Sequence, residues 1–245
     1  MKLKKIYFYI FILCIFSASA SAKDFSNQYI KLTSVTHNTA SIAKGNLKIG
    51  QSGIIIHKYK NTKLESILAN ARVIKSSRKI TYLKLSPFND LNQNALPKSK
   101  LKPQKGDIFI LNYLYHNALL IAPNEDSIKV ARAKFSKFNF IQGDIFAAYL
   151  KFHSEPFAKE ATFKTFAKSH NLGTIFFIIG NYAYMLDAKT FKILQKTYLF
   201  HQEKKQSLPF YTRITDIESN FWNVSFSKGY KKSYDSYYKH IIGIN

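Results

Sequence analysis

The apolar residues between Asn27 and about Tyr115 come in short runs, each closed by a turn former, and this excludes long helices there. "SGIIIHKYK" (52–60), "ANARVIKSS" (69–77) and "KITYLKLS" (79–86) are rich in β-branched and aromatic side chains. Gly50, Gly53, Asn61, Ser76-Ser77 and Pro87 punctuate them, which is the pattern of strands and turns. In "KITYLKL", Thr81, Leu83 and Leu85 share one side, and Ile80, Tyr82 and Lys84 share the other. That imperfect alternation predicts a strand buried on its leucine side and partly covered on its tyrosine side. "ALPKSKLKPQKGD" (95–107) is a Pro- and Lys-rich loop, and Lys105-Gly106-Asp107 turns the chain into "IFILNYLY". The expectation for residues 23–115 is a small antiparallel β-barrel or curled sheet.

The pattern changes at Asn117. "NALLIAPN" reads as a buried strand, with His116-Asn117 before it marking a hairpin or a crossover. Asn124 caps a following helix, whose first turn holds Glu125 and Asp126, where acids suit the positive end of the dipole. Ile128, Ala131 and Phe135 mark its buried face. "NFIQ" is a further strand, and Asp144 is expected to cap "IFAAYLKF", with Phe146, Tyr149 and Leu150 at helical spacing. "KEATFKTFAKSHN" repeats the pattern with Phe163, Phe166 and Ala167, and Asn171-Leu172-Gly173 ends it. "TIFFII", "YAYMLD" and "FKILQKTYL" then form a meander, turning at Gly180-Asn181 and at 187–189. Residues 116–207 thus read as an α/β sandwich with an antiparallel end, making the whole chain α+β. In the last segment (208–245), Tyr230, Tyr234, Tyr237, Tyr238 and Ile241 fall on one helical face, with Lys231, Lys232 and Lys239 mostly off it. Such a helix either docks on the body with a solvated basic face or lies on a membrane surface.

The N-terminus bears on compartment. "MKLKKIYFYIFILCIFSASASA" has a lysine-bearing start, an apolar run from Ile6 to Phe16 and a small-residue stretch. That is the layout of a secretory signal over residues 1–22, cleaved after Ala20 or Ala22. The run is short for a permanent anchor, and no later segment has the length of a membrane helix. Cys14, the single cysteine, lies in the apolar run behind Leu13, which disfavours lipidation. Its removal leaves no disulfide and no thiol chemistry. Basic residues number 37 against 14 acids, giving +23, and loss of Lys2, Lys4 and Lys5 lowers this to +20. Only Arg72, Arg78, Arg132 and Arg213 are arginines, so thirty lysines carry the remaining charge. Nucleic-acid readers favour Arg for its bidentate fork. An exported chain of this charge more naturally meets anionic glycolipids, glycans or host proteins of a Gram-negative envelope, though an AT-rich genome also enriches lysine.

No motif carries catalysis. Neither a Gly-x-Ser-x-Gly elbow nor a phosphate-binding glycine loop occurs. Histidines 37, 57, 116, 153, 170, 201 and 240 are scattered, without metal-ligand spacing. His116 reads as a turn-side or half-buried residue rather than a ligand. Acids cluster only at Glu125-Asp126 and Asp216/Glu218, and the first pair has a structural explanation in its helix start. A hydrolase would have to rest on Asp126, Asp144 or Asp187. No cofactor and no metal are expected.

The order Gly106-Asp107, strand, "NALLIAPNE", helix, "NFI", acid-capped helix resembles the N-terminal domain of bacterial plasminogen-binding proteins of the PgbA type. The similarity runs from "KIGQSGIIIHK" through "LP…KGD" and "LIAPN" to "SLPFYTRI" and "YDSYY", most of the chain beyond residue 22. It implies a surface-exported, non-enzymatic domain whose partner is host plasminogen. The mechanism attributed to such binding places a lysine ammonium against paired carboxylates of a kringle module, a carboxylate against basic groups, and aromatics along the methylenes. A C-terminal lysine supplies both charges; an internal lysine needs a nearby acid. The better-known members carry a long Lys-rich tail after this domain, whereas this sequence ends "KHIIGIN" at Asn245. The resemblance therefore points to Lys231, Lys232, Asp235 and Lys239 as the candidate ligand cluster. Two other expectations stand beside it: a periplasmic assembly component whose tail helix docks on a partner, and a generic polyanion-binding basic protein.

Overall fold

A computed structural model describes residues 25–90, 101–202, 205–214 and 233–244. The expected signal (1–22), Lys231, Lys232, Tyr230 and the Asp216/Glu218 pair lie outside them. The chain is α+β, as its pattern of runs predicts.

Six strands form a closed antiparallel barrel: β1 (Gln28–Thr36), β2 (Thr39–Ile42), β3 (Ser52–Lys58), β4 (Glu65–Ser76), β5 (Thr81–Pro87) and β6 (Ile108–Leu111). Their order is β1-β2-β5-β4-β3-β6, closed by pairing of Gln28–Lys31 with Ile108–Leu111. Closure leaves no free sheet edge. Leu32, Ile42, Ile55, Val73, Leu83, Phe109 and Leu111 fill the interior. In β5, Thr81, Leu83 and Leu85 point inward as expected, but the opposite side is more open than expected: Tyr82 is 44% and Ile80 43% exposed. A closed barrel has one interior, so the outer face of β5 meets water. β3 differs, because Ile54 and Ile56 on its outer side join Ile110 under Phe88 and Tyr113. Burial on both faces explains its unbroken "GIII". Gly53 is required there, since a Cβ would lie 2.0 Å from the Ile110 carbonyl oxygen.

The chain crosses from β6 into a second sheet rather than forming a hairpin. That sheet contains β7 (Asn117–Ile121), β8 (Asn139–Ile141), β9 (Thr174–Ile179), β10 (Tyr182–Asp187) and β11 (Ile193–Tyr198), ordered β11-β10-β9-β7-β8. β7 pairs in parallel with β8 and β9, and β9-β10-β11 is the antiparallel meander. Helices α1 (Glu125–Lys134), α2 (Gly143–Phe152) and α3 (Glu160–Ser169) cover it. Leu119, Ile121, Ile175 and Phe177 face α2 and α3 through Phe146, Leu150, Phe163 and Phe166. Ala118, Leu120, Phe176 and Ile178 face the other way, toward Ala131 of α1 and Phe25. Because both faces are covered, β9 is buried at all six positions, and "TIFFII" carries no polar residue but Thr174.

Asn124 caps α1 as its sequence predicts, its Oδ1 accepting from Ser127 N at 2.9 Å. Asp144 does not cap α2: the helix starts two residues earlier than such a cap would place it, after Gln142, and the aspartate sits inside the first turn. After β11 the chain returns along the body, where Tyr211 N donates to Ala122 O at 2.9 Å and the Phe210 ring stacks on Phe146.

The final helix, α4 (Tyr234–Ile242), docks on the body. Ser233 caps it, and Gly243 ends it at φ 70. Tyr234, Tyr237 and Tyr238 are each 1% exposed and join the core of α2, α3 and β9. The Tyr234 hydroxyl donates to Ile121 O at 3.0 Å, and Tyr237 to Ala158 O at 2.5 Å. Burial pushes the Tyr234 and Tyr238 hydroxyls well above their ordinary pKa, so both stay protonated. Truncating Tyr238 to alanine removes a ring packed against Phe163 and Phe177. The expected loss is roughly 3–5 kcal/mol of unfolding free energy, as for other buried aromatics, measured by urea denaturation. A loss below about 1 kcal/mol would mean the helix is only an accessory to the fold.

Candidate functional site

The expected ligand cluster divides in the structure. Lys231 and Lys232 fall outside the described residues, while Asp235 and Lys239 stand one turn apart on α4. The tyrosine face of the helix is committed to the core, which leaves these charges at the surface. Asp235 is half-buried in the first turn, and its Oδ1 accepts from Gly180 N at 3.3 Å. That contact fixes α4 against the β9–β10 turn. Lys239 is exposed in the last turn, where a cation suits the helix dipole. Among the described residues, its ammonium pairs with no carboxylate.

Two further helices carry an acid four residues before a lysine. Glu125 on α1 holds Lys129 at 2.8 Å, and Glu160 on α3 holds Lys164 at 2.5 Å. In both, the acid already neutralises the ammonium. Asp235 and Lys239 have the same spacing without an ion pair between them.

The acids that a hydrolase would need are dispersed. Asp126 accepts from Gln202 N at 3.1 Å. Asp144 accepts from Thr212 Oγ1 at 2.7 Å and from Arg213 N and Nε at 2.9 and 2.8 Å, so it ties α2 to the returning segment. Burial alone would raise the Asp144 pKa; the Arg213 and Thr212 donors and the Arg213 charge outweigh it and hold the carboxyl below its usual range. Asp187 is fully buried at the end of β10. Its Oδ2 accepts from Ser52 N at 2.9 Å and from the Tyr115 hydroxyl, and its Oδ1 from Lys189 N at 2.9 Å and Thr190 N at 2.7 Å. Burial, then the Asp187 charge, pushes the Tyr115 hydroxyl far above its ordinary pKa and keeps it a donor. Each carboxylate thus has structural partners of its own, and no two converge. His116 is exposed beside its turn, and no group of three metal-ligating side chains occurs among the described residues.

The Asp187 junction escaped sequence reasoning. Its one signal is an acid ending the apolar "YAYML", where a turn explains it equally well. The clasp of Asp144 on Thr212-Arg213 has a sequence separation of nearly seventy residues and leaves no local signal.

A family model described as "Plasminogen-binding protein pgbA N-terminal" matches residues 28–242. Plasminogen-binding protein PgbA of Helicobacter pylori strain J99 is 26% identical over 197 residues, covering 80% of this chain and 43% of the relative. The PgbA of strain 26695 is also 26% identical over 197 residues, covering 80% of this chain and 42% of the relative. The chain therefore spans less than half the length of these curated relatives. No described helix is long and apolar enough to cross a membrane, which says nothing of strands.

Two stability measurements test these assignments. Asp187→Asn keeps the shape but replaces one acceptor oxygen by a donor, stranding at least one buried N–H or O–H. The expected loss in chemical denaturation is at least about 1–3 kcal/mol. Asp144 titrates lower folded than unfolded, so its contribution is full above the ordinary carboxylate range and fades as pH falls through the folded pKa. Thermal melts at pH 5 and pH 3 should therefore differ less in Asp144→Asn than in the parent chain.

Proposed function

Because the chain belongs to the family described as the N-terminal region of plasminogen-binding protein PgbA, we propose that it is an exported, non-enzymatic binding protein engaging host plasminogen through lysine side chains. Two supports carry the ligand: the name of its relatives and the Asp235–Lys239 arrangement. A kringle-type pocket takes an ammonium and a carboxylate together. Residues four apart on a helix have Cβ atoms roughly 5–6 Å apart on one face, so an acid and a lysine at that spacing offer both charges to one visitor. Lys239 suits this better than Lys129 or Lys164, whose ammonium groups are already held by Glu125 and Glu160. Freeing those would cost the existing ion pair. The tyrosines beneath hold α4 rigidly, which lowers the entropy lost on binding.

The proposed location is the periplasm or outer surface of a Gram-negative bacterium, consistent with the signal-like start and the lysine surplus. Lys231 and Lys232 extend the same cluster in sequence.

The deciding measurement is binding of the chain to immobilised plasminogen at physiological salt, with and without a free lysine analogue. The expected result is saturable binding abolished by the analogue, and weakened at least about tenfold by Lys239→Ala, about 1.4 kcal/mol. Binding removed by salt alone would indicate a generic polyanion binder, since exposed charges beyond a Debye length are screened. No binding at all would favour a periplasmic assembly role. Either result overturns the proposal.

A further inference from the structure

A partly open cleft of about 450 Å³ lies between the barrel and the α/β layer, beside the Asp187 junction. β4 and β5 form one wall and α3 the other, and the β10–β11 turn contributes Lys189. Clefts of about 300–1,000 Å³ are the size that takes small organic ligands.

The charges around it are arranged unfavourably for an empty surface. Arg72 of β4 and Lys84 of β5 are direct cross-strand partners. Like charges in that position repel and destabilise a sheet. On the facing wall, Lys164 and Lys168 are four residues apart on α3, also a repulsive spacing. All four line the cleft, with Lys189 as a fifth cation. The single acid among the described lining residues, Asp90, is taken by Lys189 at 2.5 Å, and Lys164 is held from outside by Glu160. Arg72, Lys84 and Lys168 pair with no carboxylate among the described residues. Between the charged walls, Leu114, Ala167, Leu172 and Ala188 give the lining an apolar strip beside the polar Asn171 and Thr190.

We propose that this cleft binds a small amphipathic anion, with its carboxylate, phosphate or sulfonate group between Arg72, Lys84 and Lys168 and its apolar body on Leu114, Ala167, Leu172 and Ala188. Arg72 supplies the planar fork that fits such groups two-pronged, and the lysines supply point charges. A bound anion converts the repulsive Arg72–Lys84 pair into a bridged one. The cleft involves neither Asp235 nor Lys239, so this site is independent of plasminogen binding.

The probe is 1-anilinonaphthalene-8-sulfonate, an aromatic body with one sulfonate, titrated into the full chain by fluorescence. The expected result is one saturable site, weakened at least tenfold by Arg72→Glu combined with Lys168→Glu. The control, Lys31→Glu combined with Lys137→Glu, removes the same net charge at exposed positions outside the lining and should leave the affinity within twofold. Lys239→Ala should leave it unchanged too. Without probe, Arg72→Glu alone should raise the melting temperature, because a carboxylate at that position faces Lys84. Equal weakening in both double variants, or adsorption that never saturates, would show general charge attraction and overturn the site. A lowered melting temperature in Arg72→Glu would overturn the repulsion on which it rests.

Discussion

The Asp187 carboxylate joins the two sheets. It lies fully buried at the end of β10 yet accepts from Ser52 at the start of β3, so one side chain links barrel and α/β layer. A carboxylate withdrawn from water costs several kcal/mol unless its lone pairs are satisfied. Here three backbone N–H groups and the Tyr115 hydroxyl satisfy them. The dependence is mutual. Tyr115 sits in the crossover from β6 to β7, in a turn that sets Asn112 and Leu114 at positive φ. Removing the carboxylate would strand donors from three separate parts of the chain at once. Thr190 adds a second tie, its hydroxyl donating to Gly50 O at 2.7 Å. The same turn places Lys189 on the cleft, so the junction that fixes the two layers also fixes the space between them.

The parts of the fold legible in the sequence were those set by local rules. Short β-branched runs gave β3, β4 and β5, the Asn124 cap located α1, and the tyrosine spacing of the tail marked the buried face of α4. What failed was set by distant partners. Asp144 has the composition of a cap, but Thr212 and Arg213 recruit it for a different task, and Gln142 precedes the helix without a side-chain capping bond. The exposure of Tyr82 follows from barrel closure, a property of all six strands that no single strand states. β1 opens at Gln28 with alternating exposed positions and needs β6 as partner to be defined.

The candidate surface was legible to a lesser degree, and for a physical reason. Lysine is flexible and solvated, and its charge contributes little to the fold when exposed, so neither periodicity nor burial marks which lysines matter. Only contrast with neighbours separates them. Lys129 and Lys164 have acids in contact, whereas Lys239 and the Arg72–Lys84 pair do not. Sequence spacing shows an acid four residues away in all three helices; the coordinates show which ammonium groups that acid already holds.

The build of α4 would let one short helix carry both folding and the proposed binding. Its stability comes from tyrosines packed on one face and from hydroxyls bonded to Ile121 and Ala158. The charged positions lie on the remaining face, where a substitution alters screened surface electrostatics and not packing. Under the proposed binding, a change at Lys239 therefore acts on the partner side of the equilibrium, while a change at Tyr238 acts on the folded state itself. If instead the lysine face were needed to hold the helix down, loss of binding and loss of stability would move together. Asp235 would span both roles on α4, because Gly180 N holds it and it lies one turn from Lys239. Its carboxylate is thereby fixed in place before any ligand arrives, so an ammonium-and-carboxylate pair on α4 has one charge anchored and only the lysine left to order.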